Sequence, residues 1–337
     1  MVLNDLQLWI KKLEIGTVLA REFYLSNSSY FPEKCDHFAF FGMGGSGVAG
    51  RILKTFFNRS GKIRFDAFQS CEVSPLITQK TVAFVASYSG NTWETVAVLQ
   101  DLIVKQIPTI VITHGGRALE LAQQFNLPYV LLPKTVSPRS ALGYFLGFFL
   151  TLFDSLGHIN GKGMLINYCK VAGLCLPIYS QPQFFEDFIA AVDDREFFHV
   201  WGVSGEGDAF AYRAQTQFNE NSKIQAVYSE FPELCHNLIV GFTRLYQLPF
   251  VLFLHTNYLS ENLKKALKAT EELLSEYRVG LYKMPILGDT FDEQLFNIIL
   301  WSDFASYHLG VARGVDVNPV KLIDGLKQKH KEPGIDL

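Results

Sequence analysis

The sequence offers no disulfide framework and no zinc ribbon: its five cysteines (Cys35, Cys71, Cys169, Cys175, Cys235) are odd in number and none pair at C-x-x-C spacing. Thiols of that kind fit a reducing compartment, so a cytoplasmic protein is expected. No run of five or more like charges occurs, and 30 basic against 33 acidic side chains leave a formal charge of −3. That balance argues against nucleic acid as the main partner, because neutralising phosphates takes clustered Lys and Arg. Long hydrophobic runs are missing too. The greasiest stretch, Ala141 to Phe153, lies between Arg139 and Asp154. It falls short of the ~20 residues of a membrane span and reads as a buried core helix, so no membrane partner is expected. The opening MVLNDLQLWIKKLEIG lacks the basic-then-apolar order of a signal peptide and reads as an amphipathic helix.

What is present is a globular composition, 48% hydrophobic and 19% charged, which excludes intrinsic disorder. At 337 residues the chain is longer than one average domain. Short apolar runs, His37–Phe41, Thr81–Ala86, Pro108–Thr113 and Leu127–Leu132, read as strands, with helical spacing over Val48–Phe57, Thr92–Val104 and Arg117–Phe125. The second half repeats the theme. Strands are expected over Glu196–Val203, Phe250–His255 and Val279–Met284, and helices over Asp208–Glu220, Glu261–Glu276 and Phe291–Arg313. Strands alternating with helices predict an α/β fold with doubly wound parallel sheets. FAFFGMGGSGVAGRILKTFF and FHVWGVSGEGDAFAYRAQTQF share strand, glycine turn and helix in one register, so two similar subdomains with extra helices are expected. Their limits are set at 1–153 and 154–337, the second carrying linker helices and a C-terminal tail.

Two glycine-containing turns carry candidate chemistry. Gly42–Gly47 (GMGGSG) sits between strand and helix and matches GxGxxG, with Asp66 where a dinucleotide fold wants an acid. A nicotinamide oxidoreductase is one reading, a simple tight turn another. Ser87–Thr92 (SYSGNT) also joins strand to helix, with hydroxyls at Ser87, Ser89 and Thr92 around Gly90. An N-cap explains one hydroxyl; three around a glycine, with free N–H groups at a helix start, make a phosphate cradle.

These turns, together with Pro138–Ala141 (PRSA), Asn219–Lys223 (NENSK), Pro232–Asn237 (PELCHN) and Ile323–Lys327 (IDGLK), make the chain over residues 35–330 resemble the bifunctional phosphoglucose/phosphomannose isomerases of archaea and bacteria. Their fold is the sugar isomerase (SIS) fold, in which SxSGxT holds the phosphate of a sugar phosphate. The resemblance implies a metal-free, cofactor-free aldose–ketose isomerase acting on glucose 6-phosphate and mannose 6-phosphate. Gly45, Ser46, Ser87, Ser89 and Thr92 would hold the substrate. Glu220 would shuttle the proton between carbons 1 and 2, a task suited to a carboxylate. Arg139 would stabilise the enediolate without losing its charge, His236 would serve ring opening, and Lys327 would assist there or hold the sugar. The implied unit is a homodimer with His236 reaching the neighbouring subunit's site, the loop-like Ser229–Glu233 projecting it and Phe231, Leu234, Leu238 and Ile239 forming the interface centre. No zinc site is expected, since closely spaced histidine pairs and an all-β pattern are missing. The sequence departs from the family at Asp316-Val317-Asn318-Pro319, where relatives read Asp-Pro-Thr-Pro, which bears on tolerance of the mannose epimer. A non-catalytic sugar-phosphate regulator is the competing class; it would keep the cradle without needing Arg139, Glu220 and His236 together.

Overall fold

The computed structural model describes residues 2–31, 35, 37–192, 195–244 and 249–329. Helices α1 (Val2–Leu6) and α2 (Trp9–Asn27) precede β1 (His37–Gly42), α3 (Gly44–Ser60), β2 (Arg64–Phe68), β3 (Thr81–Ser87), α4 (Trp93–Val104), β4 (Thr109–Thr113), α5 (Gly116–Gln124) and β5 (Tyr129–Leu131). Helices α6 (Leu142–Ser155), α7 (Gly161–Tyr179) and α8 (Glu186–Val192) lead to β6 (Phe197–Val203), α9 (Asp208–Gln217) and β7 (Gln225–Phe231). Then follow β8 (Phe250–Leu254), α10 (Glu261–Glu276), β9 (Gly280–Lys283), α11 (Phe291–Ala312) and α12 (Lys321–Lys329).

Among the described residues the strands form two parallel sheets, ordered β2-β1-β3-β4-β5 and β7-β6-β8-β9. Central strands β1, β3, β4 and β8 are buried at every position, as continuous apolar strands covered on both faces must be. Two strands lie outside the expected set, β2 (RFDAF) and β7 (QAVYSEF), and each is one of the two edges of its sheet. The strand β7 corrects the expected loop at Ser229–Glu233, since Ser229 to Phe231 pair in register with Trp201 to Val203 of β6. The expected helix over Asp208–Glu220 also changes form. Regular α-helix stops at Gln217, and Phe218–Ser222 continue as a single π-helical turn.

Helix α6 is the buried core helix that the apolar run predicts. It meets α2 at very short range: a Cβ on Gly147 would lie 2.2 Å from the Leu13 carbonyl oxygen, and one on Gly16 2.3 Å from that of Tyr144. Only glycine permits that approach. The contact fixes the start of α6, and with it the 3-10 turn Pro138–Ala141 that carries Arg139. Helix α11, opened by a Thr290–Glu293 capping box, is buried along most of its length and packs against α7 and α9. One apolar cluster runs from the first sheet through α6 and α11 to the second. Among the described residues no helix is long and apolar enough to cross a membrane.

Candidate active site

Helix α3 begins at Gly44, four residues before the expected start, so the glycine turn is itself the first helical turn. Met43 offers no side-chain cap, which leaves N–H groups of that turn without intrahelical partners at the positive end of the helix dipole. The turn after β3 lies beside it. Ser46 Oγ accepts from the Tyr88 N–H at 3.3 Å, tying the two turns together. Within the second turn Ser87 Oγ accepts from Gly90 N–H at 3.1 Å and donates to Thr92 Oγ1 at 3.2 Å. Ser89 Oγ accepts from Asn91 N–H at 3.3 Å and stands 3.5 Å from Thr92 Oγ1. Gly90 has φ +67° and a Cβ there would lie 1.7 Å from the Gly115 carbonyl oxygen, so no other residue fits. The structure thus gathers Gly45, Ser46, Ser87, Ser89 and Thr92 at two adjacent helix starts. Sequence reasoning passed over Thr95, in the first turn of α4, whose buried hydroxyl finds no hydrogen-bond partner among the described residues.

Asp66, the acid of the dinucleotide reading, is engaged elsewhere. It pairs with Arg64 at 2.8 Å and His37 at 3.1 Å, with Lys54 at 3.7 Å. Those partners hold its carboxyl below the ordinary range against the opposing effect of burial. A carboxylate so committed is a structural member of the β1–β2 edge.

Arg139 links the cradle to the second half of the chain. Its backbone lies against Gly45, where a Cβ would come within 3.1 Å of the Arg139 Cα. Its guanidinium is buried, at 6% exposure, and four of its five N–H donors find acceptors in the other half of the chain. Nη1 donates to Glu220 Oε2 at 3.0 Å, Nε to Asn221 Oδ1 at 2.9 Å, and Nη2 to the carbonyls of Val317 at 2.8 Å and Asn318 at 3.4 Å. The π-helical turn produces this arrangement, placing Glu220 toward the cleft while Asn221 and Ser222 bind Ser306 of α11 at 2.9 and 2.6 Å. Inserted π turns of this type are frequent at functional sites. Lys223, at φ +53°, closes the turn by donating from its ammonium to the Glu220 carbonyl. Partial burial and the Arg139 charge pull that ammonium below the ordinary lysine range. Asn221 and Lys223 lie inside the quoted NENSK segment, but only the folded turn reveals their use.

Glu220 opens onto a cleft of about 440 Å³ lined by Asn219, Lys223, Asp316 and the first turn of α12. Asn318 does not line it. Its side chain donates to Asp316 Oδ1 at 3.2 Å, as does its N–H at 3.0 Å. The departure at position 318 therefore offers Arg139 a backbone carbonyl and turns its amide away.

Two expected members are not brought to this cluster. Lys327 is exposed on α12 and forms no hydrogen bond or ion pair with a described residue. His236 is exposed on the 3-10 turn Glu233–His236, likewise without a hydrogen-bond partner among the described residues. Glu220 precedes β7 and His236 follows it, so the seven residues of that strand separate them, by about 20 Å at strand rise. The apolar residues expected at an interface are used within the chain. Phe231 and Leu234 are buried with Trp201, Val251 and Phe253, and Leu238 and Ile239 pack against that cluster.

Residues 33–124 match the SIS domain family model, and residues 188–329 match that of the bacterial phospho-glucose isomerase C-terminal SIS domain. The chain is 29% identical to the bifunctional phosphoglucose/phosphomannose isomerase of Caldicellulosiruptor bescii, over 89% of this chain and 91% of that one. It is 30% identical to the D-glucosamine-6-phosphate 4-epimerase of Sulfolobus acidocaldarius, over 65% of this chain and 69% of the relative. The crystal structure of a hypothetical protein from Thermus thermophilus superposes with a TM-score of 0.72 at 18% identity, covering 97% of this chain and 90% of the other. Sheet topology, paired glycine turns and these similarities agree: the chain belongs to the bifunctional phosphoglucose/phosphomannose isomerase family of SIS-domain proteins.

Proposed function

We propose that the protein interconverts glucose 6-phosphate, and also mannose 6-phosphate, with fructose 6-phosphate by proton transfer through an enediol, without a metal or cofactor. The observation that carries this reading is the 3.0 Å pair between Arg139 and Glu220, joined through Gly45 to a hydroxyl-lined double helix start. Enolisation needs a base and a fixed positive charge within reach of two adjacent carbons, and the pair supplies both. Gly45, Ser46, Ser87, Ser89 and Thr92 hold the phosphate, Glu220 moves the proton between carbons 1 and 2, and Arg139 stabilises the enediolate oxygen. His236, coming from the neighbouring subunit of a homodimer, opens the sugar ring, and Lys327 assists there or holds the sugar from α12, whose first turn lines the cleft. The reading also keeps the division of the chain after Phe153 into two SIS subdomains. Free thiols, one of them exposed at Cys71, support a reducing cytoplasmic setting. A non-catalytic regulator is not favoured, because the relatives over most of the chain are named as isomerases.

The test is direct. In excess chelator, a coupled assay should detect fructose 6-phosphate formed from both epimers, with glucosamine 6-phosphate as a control for 4-epimerisation. Acceptance of mannose 6-phosphate is expected because Asn318 turns its side chain toward Asp316 and stays off the cleft wall. Turnover that appears only after zinc is added would overturn the metal-free mechanism. The cradle has its own check. Ser89→Ala should weaken a phosphorylated competitive inhibitor by about 1.5–3 kcal/mol, the worth of one hydrogen bond to a charged group. Calorimetric titration giving an unchanged Kd would remove Ser89 from the phosphate site.

A further inference from the structure

Next to the main chain of Arg139 lies a second set of charges that the proposed reaction does not use. Arg213 on α9 and Asp303 on α11 are each only 1% exposed. Arg213 Nη2 donates to both carboxylate oxygens of Asp303, at 2.8 and 3.0 Å, and reaches the main-chain carbonyl of Arg139 at 3.4 Å. Nε and Nη1 of the same guanidinium are buried and find no partner among the described residues. Neither does Oε1 of Gln217, one helical turn farther along α9. Arg213 and Gln217 both line one small cavity, together with Trp9, Lys12, Ser140 and Asn221.

A buried guanidinium with three idle N–H donors and a buried amide oxygen without a donor are rarely left so in a folded protein. The cavity measures about 10 Å³, which is on the scale a single water requires. The donors and the acceptor supply the polar contacts such a water needs. Lys12 stands near the same pair and is itself bonded to Asp5 at 2.7 Å. The Lys12–Asp5 pair joins α1 to α2 beside the cavity.

We propose that one buried water bridges Arg213 and Gln217, and that Asp303, Arg213 and this water form a positioning device for Arg139. The inference rests on the reading of Arg139 as the fixed cation of the reaction. The Arg139 backbone is gripped from two sides. Gly45 of the cradle packs on one side and the Arg213 guanidinium bonds its carbonyl from the other. With the main chain held there, the guanidinium points at Glu220 from a fixed origin. Arg213 is accordingly a positioning residue that acts through Arg139 and does not touch the substrate.

The experiment has a structural arm and a kinetic arm. A high-resolution crystal structure of the unmodified protein should show a water within hydrogen-bonding distance of Arg213 Nη1 and Gln217 Oε1; a dry cavity overturns the proposal. Arg213→Met alone strands Asp303 and should lower both Tm and kcat. The double variant Arg213→Met with Asp303→Leu removes both charges, a change that buried pairs tolerate well and that returns Tm toward the starting value. Its kcat should stay down by roughly 10²-fold, the cost of a misplaced catalytic group, while KM moves less than about twofold. If kcat recovers together with Tm, the pair is only structural and the positioning role fails. Should the double variant not fold, Asp303→Asn with the same kcat-against-KM split decides between the same two outcomes. Arg139→Lys is assayed in parallel. Full activity there would sink the catalytic reading of Arg139, whereas the Arg139 Nη1 to Glu220 distance in a crystal of the double variant still judges positioning. That distance should lengthen beyond a hydrogen bond, and one unchanged from 3.0 Å overturns the proposal.

Discussion

Glu220→Gln should cut isomerisation by about two to four orders of magnitude while leaving the binding of a phosphorylated inhibitor nearly intact. The substitution preserves the size of the side chain and an acceptor for Arg139 Nη1, now bonded to Oε2 at 3.0 Å. It removes the only feature the reaction draws on, a carboxylate able to take a proton from carbon 2 and return it to carbon 1. Positioned general bases of this type contribute roughly 10²–10⁴-fold, so turnover should fall by that factor. Because the interaction is made in the transition state, kcat and kcat/KM should decline together. The amide will still accept from Arg139, and the π-helical turn is fastened independently through Asn221, Ser222 and Ser306, so Tm should hardly change. Steady-state kinetics beside calorimetric titration of an inhibitor separates the cases. A variant within tenfold of the starting turnover would show that another group carries the proton; a parallel loss of inhibitor binding would assign Glu220 to substrate recognition.

The parts of this site that are legible in the sequence are those that advertise themselves locally. A continuous apolar run such as TVAFVA has few alternatives to a buried parallel strand, and a glycine and three hydroxyls after it have few to a ligand-facing turn. The strands β2 and β7 are not legible because each mixes charged and polar residues among its apolar ones, as an edge allows, whereas the opposite edges β5 and β9 lie within apolar runs. RFDAF and QAVYSEF therefore read as connections. Missing β7 has a consequence: the stretch that reads as a projecting loop is a strand that carries His236 away from Glu220 instead of toward it. The helical period over Asp208–Glu220 is real, but period alone does not announce a π turn, and that turn decides which way Glu220, Asn221 and Ser222 face. Arg139 is identifiable, yet two of its acceptors are the carbonyls of Val317 and Asn318, which carry no side-chain signal. The buried pair of Arg213 and Asp303 joins residues 90 positions apart and is invisible before the helices are packed.

Mixing the inactive variants Glu220→Gln and His236→Ala should restore activity once subunits exchange. Within one chain, His236 and Glu220 sit at opposite ends of β7, about 20 Å apart at strand rise, and His236 is exposed without a hydrogen-bond partner among the described residues. A histidine that serves ring opening at Glu220 must therefore come from elsewhere, and the second copy of a two-fold dimer is the simplest source. A two-fold axis creates two equivalent shared sites at once. The centre of such an interface must be sought away from Phe231 and Leu234, which are buried in their own chain, and the exposed Val240 on the neighbouring 3-10 turn is one place to begin. In a mixed dimer, one site combines both lesions and the other combines Glu220 of one chain with His236 of the other, both intact. Random exchange at equal amounts makes half the dimers mixed, each with one working site of two, so activity should climb to about a quarter of the unmodified enzyme. Exchange is verified separately by native mass spectrometry of size-tagged chains. If verified exchange brings back no activity, His236 does not cross to its neighbour. If His236→Ala alone retains full turnover, the histidine has no part in ring opening and the shared site loses its reason.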